Sequence, residues 1–181
     1  FITGLRYDAT GNHSVWYNSS TNELIQTSPS YFFIADTGTQ SFTATNTYYP
    51  VTFSQNDILY HNWSHTKGSS ILTGTFNTPC VLSFGYNIQA HSTSNQTETI
   101  AAALYIDGNA VLGSYRSLTI KETTGESINC NSIMYSMPSG SHTLELKVAV
   151  SNTNVNVGGT PNIPAPPGTY TSVNITCNRI A

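Results

Sequence analysis

Apolar and polar residues alternate with a period of two along most of the chain, and the clearest case runs through Thr143–Val150. There Leu144, Leu146, Val148 and Val150 point one way, and Thr143, Glu145, Lys147 and Ala149 the other. This is the signature of a half-buried antiparallel strand. A second alternating run, with Leu104 and Ile106 set against Tyr105 and Asp107, reaches Asp107-Gly108-Asn109 and resumes through Ala110-Val111-Leu112. Aspartate followed by glycine accepts the two positive φ angles of a tight primed turn, so a hairpin is predicted at Asp107-Gly108. Shorter strands are predicted at Tyr31–Ile34, Ser41–Ala44, Val51–Phe53, Ile58–Tyr60, Ile71–Phe76, Cys80–Gln89, Ile100–Ile106, Ser117–Ile120, Ser127–Tyr135 and Tyr170–Ile180. No window holds a helical period over three turns. Many short strands at regular spacing predict an all-β antiparallel sandwich. Between the last two strands, the proline-rich stretch from Gly158 to Gly168 lacks the amide donors of a central strand and is expected to be an exposed loop.

The first 30 residues read differently from the rest. Val15-Trp16-Tyr17-Asn18 and Glu23-Leu24-Ile25-Gln26 flank a turn at Ser19-Ser20-Thr21-Asn22, a hairpin-like unit with too few apolar residues to bury a core alone. Ser28-Pro29-Ser30 marks a junction, which divides the chain into a segment 1–30 and a sandwich domain 31–181.

Composition narrows the possible partners. Only 8% of the 181 residues are charged, against about a quarter in typical proteins, and serine, threonine and asparagine carry solubility instead. Arg6, Lys67, Arg116, Lys121, Lys147 and Arg179 are scattered singly, and the net charge is -3. Nucleic acid and anionic membranes are therefore not expected partners. No run approaches the roughly 20 apolar residues that span a bilayer, and no leader pattern opens the chain. The chain does not begin with methionine, which leaves room for a removed leader. Cys80, Cys130 and Cys177 allow two readings. Either all three are small apolar side chains in the sandwich, or two form a disulfide and mark an oxidising compartment.

A search for catalytic chemistry finds none, so no enzymatic activity and no cofactor are expected. Glu122 and Glu126 are the one close pair of acids, and they sit in a polar turn beside Lys121 rather than in a sheltered cleft. Asp57, His61 and His65 have helical metal-ligand spacing, but Ile58-Leu59-Tyr60 and Asn62-Trp63-Ser64 favour extended chain. On a strand the two imidazoles would stand roughly 13 Å apart, too far to share an ion. His13, His91 and His142 stand alone beside turn residues. Five asparagines meet the N-glycosylation pattern: Asn12, Asn18, Asn62, Asn95 and Asn174.

From about Gln40 to Ala181 the chain resembles the tumour-necrosis-factor-like jelly roll, also used by complement heads and by the heads of viral and phage fibres. The resemblance rests on Phe84-Gly85-Tyr86-Asn87-Ile88, on Ala103-Leu104-Tyr105-Ile106-Asp107-Gly108, on Met137 through Leu146, and on the terminal Asn178-Arg179-Ile180-Ala181. Val15 through Leu24 resembles the repeating β-turn units of a viral fibre shaft. The resemblance implies a homotrimer acting outside the cell or at a virion surface, whose distal loops attach to a host glycan or protein receptor. Receptor contacts are then expected at Asn95, Tyr115, Arg116, Asn154 and Asn162, on loops that a rigid sandwich positions. An alternative is a structural subunit of an extracellular filament or sheath, in which residues 1–30 complete a neighbour's sandwich by strand exchange.

Overall fold

The alternating pattern becomes two packed antiparallel sheets in the computed structural model, which describes residues 14–18, 23–27, 30–121, 125–158 and 171–180. The strands are β1 (Ser14–Asn18), β2 (Glu23–Thr27), β3 (Tyr31–Asp36), β4 (Tyr49–Pro50), β5 (Gln55–Tyr60), β6 (Trp63–His65), β7 (Leu72–Phe76) and β8 (Cys80–Ser92). They continue as β9 (Thr97–Ile106), β10 (Asn109–Ala110), β11 (Arg116–Lys121), β12 (Gly125–Met137), β13 (Gly140–Val150), β14 (Val155–Val157) and β15 (Val173–Arg179). Among the described residues there is no helix, and so none long and apolar enough to cross a membrane.

One sheet has seven strands in the order β10-β9-β13-β7-β6, with β11 beside β9 and β4 beside β13. The other has six, in the order β12-β8-β15-β3-β5, with β14 beside β8. Four of the pairings are nested, β3 with β15, β7 with β13, β8 with β12 and β9 with β11, while β8–β15 and β9–β13 join them side by side within each sheet. The chain therefore folds back on itself about the β9–β11 connection. That connection begins at the predicted hairpin, where Asn109 pairs Ile106 and the two turn residues have φ of 49° and 77°. Glycine at 108 is needed there because a Cβ is strained at that angle. Separately, β1 and β2 pair with each other, Ser14 opposite Thr27, as the expected hairpin.

Inward-facing residues of both sheets form one core. Leu144, Leu146, Val148 and Val150 are all buried, as their alternation predicts, and meet Leu82, Phe84, Tyr86 and Ile88 of β8 in the same cluster. Trp63 sits at one end of it, edge-on to Phe32, Phe76 and Phe84. Gly74 lies beneath these rings, where an added Cβ would come within 2.9 Å of Trp63 and 2.8 Å of Phe76. All three cysteines are buried free thiols, which settles the two readings in favour of small apolar packing. Burial pushes the thiol ionisation of Cys177 and Cys80 upward.

Two predicted strands are loops instead. Residues 41–44 form no strand, the chain bending at 43–46, and Val51–Phe53 runs without ladder partners, although Phe42, Val51 and Phe53 still fill the core. The reason is local. The Gln40 side chain donates to Thr52 O at 2.8 Å and accepts from Thr52 N at 2.9 Å, so one amide replaces a strand pairing. The extended reading of residues 58–64 also fails at its centre. The chain turns at His61-Asn62, with His61 at φ 53°, and passes from the six-stranded sheet in β5 to the seven-stranded sheet in β6.

Candidate functional site

A concavity lies on the outer face of the seven-stranded sheet, and the strand register explains it. Across β9 and β13, Tyr105 stands beside Glu145, Ala103 beside Lys147, and Ala101 beside Ala149. The next row is Thr99 and Ser151, joined by Ser151 N donating to Thr99 O at 2.9 Å and Thr99 N donating to Ser151 Oγ at 2.8 Å. Alanine ends at Cβ, so the face dips where Ala101 meets Ala149. Tyr48, just before β4, rises on the β13 side, and Tyr115, just before β11, rises on the β9 side. With Asn46 at one rim they enclose about 260 Å³.

The two walls remain open to solvent, Tyr48 at 37% and Tyr115 at 56% exposure. Tyr48 also leans toward Tyr105, ring centroids 6.0 Å apart. Lys147 Nζ lies 4.6 Å from the Tyr105 centroid and 3.2 Å from Glu145 Oε2, so its charge is spent on an aromatic face and a carboxylate beside the groove. Partial burial first, then the phenols of Tyr115 and Tyr105, push the Tyr48 ionisation upward. Tyr48 is thus a neutral hydroxyl at physiological pH.

Each wall is fixed from below. Asn46 adopts φ 55° and donates its backbone N–H to Val150 O at 2.8 Å, tying the Tyr48 loop to β13. The Tyr115 loop is held by buried Ser114, whose Oγ donates to Val111 O at 2.7 Å and accepts from Leu104 N at 3.0 Å. Tyr86 reaches across from the six-stranded sheet and donates its hydroxyl to Ser114 O at 2.6 Å.

Of the contact candidates read from sequence that fall among the described residues, Tyr115 alone lines this groove. Arg116 turns its guanidinium onto the carbonyls of Gly113 and Tyr115, at 3.0 and 2.6 Å. Asn95 and Asn154 are exposed on loops that meet each other, Thr93 N donating to Asn154 O at 3.0 Å, but neither lines the groove. Asn162 and Asn12 lie outside the described residues, as does the stretch 159–168. Asn18 is in β1, its side chain also outside them. Asn62 donates its side-chain amide to Thr75 O, and Asn174 lies half-buried in β15 between β3 and β8.

Several ionisable groups elsewhere among the described residues have local partners. His65 Nε2 contacts Ser69 O at 3.0 Å, His61 packs on Tyr60, and no group of three or more histidine, cysteine or acidic residues is placed to hold a metal among the described residues. Glu98, 3% exposed, accepts hydrogen bonds from Ser92 and Ser94 and orders the loop that carries Asn95.

Sequence reasoning missed Tyr48, Ala101 and Ala149. The sequence holds only part of their signal, small residues at outward positions, and the register that sets the two alanines side by side is not in it. Outward positions of a strand normally carry long polar side chains, whereas β9 sets Ala103 and Ala101 there between Tyr105 and Thr99, and β13 sets Ala149 between Lys147 and Ser151. No protein-family model matches the chain, and no curated protein matches it either.

Proposed function

We propose that this chain is a non-enzymatic attachment module, the trimeric jelly-roll head of a viral or phage fibre, which holds a host surface glycan or protein in the tyrosine-walled groove. The groove itself carries the reading. Its lining is tyrosine, alanine, valine, asparagine, threonine and serine, with no side chain ionised at neutral pH. Hydrolytic acid–base chemistry requires titratable groups at the reacting atoms, whereas recognition requires aromatic area and a few polar groups. Such a module acts outside the cell, at a virion surface.

The nested pairing of β3 with β15, β7 with β13, β8 with β12 and β9 with β11 supports the jelly-roll assignment, because two interlocked Greek keys produce that order. The outer face of the six-stranded sheet supports assembly of copies. Tyr31 stacks on Tyr60 at 4.8 Å, Phe33 stands opposite Ile58, and Met134 opposite Ser83. Ile58 and Met134 are 49% and 54% exposed, and none of these positions is charged. Charge depletion and aromatic enrichment mark the centre of protein interfaces.

Two measurements test the reading. Sedimentation equilibrium of the full chain is expected to give three times the chain mass, falling to one with Ile58→Lys. A wild-type monomer, or an open-ended polymer such as a strand-exchanged filament would form, overturns the trimer. Flow cytometry with the labelled chain is expected to show saturable binding to host cells that Ala101→Arg abolishes. Undiminished binding removes the groove from the attachment role.

A further inference from the structure

The geometry points to a neutral sugar: the Tyr48–Tyr115 groove takes one uncharged pyranose ring, the end of a glycan chain, with its apolar face against tyrosine. This rests on the attachment reading and names the ligand of that same site. Size comes first. About 260 Å³ falls below the roughly 300–1,000 Å³ of pockets for drug-sized ligands, and suits a single ring with its substituents. A protein side chain of comparable volume would be a lone aromatic, which needs an apolar slot rather than a rim of hydroxyls and amides.

Shape comes second. One face of a pyranose presents C–H bonds whose hydrogens carry partial positive charge, and these meet the negative π face of a tyrosine ring. Two tyrosines on opposite sides of a floor of alanine methyls offer that contact from either wall. Polar groups come third and lie together at one end, where Asn46, Thr99 and Ser151 form the rim. Ser151 Oγ accepts from Thr99 N, so its own proton is free to be donated. Asn46 provides both a donor and an acceptor, the pairing that vicinal sugar hydroxyls use. The Tyr48 hydroxyl remains protonated and adds a further donor.

Charge decides between sugars. A sialic acid brings a carboxylate, which needs a cation or a set of amide donors. No lining residue is cationic, and the neighbouring Lys147 is held by Glu145 and Tyr105. The other cation beside a wall, Arg116, turns its guanidinium onto the carbonyls of Gly113 and Tyr115, so an anion entering the groove meets no cation among the residues that line it. Neutral hexoses and N-acetylhexosamines meet no such penalty.

The test is saturation-transfer NMR and calorimetry on the full chain with methyl β-galactopyranoside, methyl N-acetyl-β-glucosaminide and the methyl α-glycoside of N-acetylneuraminic acid. A ligand of roughly 15 heavy atoms at ordinary efficiency gives a dissociation constant on the order of 1 mM for a neutral glycoside. The sialoside is expected to bind about tenfold more weakly or not at all. Tyr115→Ala is expected to weaken the neutral glycoside about tenfold, and Tyr115→Trp to preserve it, since only the aromatic face is needed. Ala101→Arg, checked for folding by its melting temperature, fills the floor and abolishes the signal. A neoglycoprotein bearing the same sugar distinguishes glycan from free metabolite, because only a glycan receptor gains avidity from it. Preference for the sialoside, or neutral binding unchanged by both Tyr115→Ala and Ala101→Arg, overturns the inference. Cell binding that Ala101→Arg abolishes while all three glycosides stay silent overturns the sugar and leaves attachment standing.

Discussion

Replacing Tyr86 with phenylalanine removes one oxygen from the core, and it tests whether the groove is held from the opposite sheet. Tyr86 belongs to β8, is buried, and its hydroxyl lies 2.6 Å from Ser114 O and 3.2 Å from Ala102 O. A hydroxyl has one proton to donate, and the shorter contact takes it. Burial pushes the phenol's ionisation far above its ordinary value, so the donor survives at every pH the fold survives. In the variant no void opens, but the Ser114 carbonyl stays buried without its donor. Such an orphaned acceptor costs about 1.5 kcal/mol, within the usual 1–3. For a chain of this size the melting temperature should fall roughly 3–6 °C. Urea unfolding followed by Trp63 fluorescence should show a lower midpoint at unchanged slope, because the surface exposed on unfolding is the same. Amides of the Val111–Tyr115 loop should exchange faster, and groove binding should weaken, since this loop sets the position of Tyr115. Ser114→Ala should couple to the change in a double-mutant cycle. An unchanged midpoint, or a lower one with loop exchange unaltered, refutes the claim that Tyr86 braces the groove wall.

Three further outcomes are expected. The His142 hydrogen bond to Asp107, at 2.7 Å, and then the Thr143 amide hold the Asp107 carboxyl below its ordinary value, so its stabilisation is present above about pH 4 and is lost as pH falls through the lowered value. Asp107→Asn keeps the left-handed turn and should flatten the acid limb of a melting-temperature profile, by less than ~1 kcal/mol because the pair is half-exposed. Cys80, Cys130 and Cys177 should resist Ellman's reagent in the native chain and react together once it is unfolded; a fast-reacting thiol would contradict their burial. Expressed through a eukaryotic secretory pathway, Asn95 should carry glycan while Asn62 and Asn174 do not, as peptide mapping by mass spectrometry would show.

Legibility followed locality. The Asp107-Gly108 turn and the Thr143–Val150 strand were readable because φ preference and alternation act within a few residues. The segment 41–53 was misread because its apolar residues plug the end of a sandwich, and plugging requires burial without a ladder. The Gln40 amide that replaces the ladder bonds Thr52, twelve positions away. β14 escaped notice since a three-residue strand carries too little periodicity to register. In the groove, Tyr115 was legible as an aromatic beside a turn. Ala101 and Ala149 were not, because a dip exists only when the register of β9 and β13 sets two small residues side by side.

The two outer faces of this sandwich suit different partners, and the difference lies in side-chain length rather than charge. On the six-stranded sheet, rows such as Tyr60, Tyr31, Asn178, Ser83 and Met134 run from edge to edge, with no alanine pair to open a pit. Broad uncharged surface of this kind suits another copy of the chain, since stable association requires roughly 800 Å² from each partner. The seven-stranded sheet interrupts its outer rows with alanine and so admits a small ligand instead. Because the faces lie on opposite sheets, ligand binding and assembly as proposed would not compete. They also need each other on the proposed reading: a single groove with millimolar affinity would hold no cell, whereas linked sites can gain about 10²–10⁴ in avidity when the geometry lets them engage together. On that reading weak sugar recognition and self-assembly would act as two halves of one mechanism, and a chain held as a monomer by Ile58→Lys should keep its affinity for the free glycoside while losing the cell.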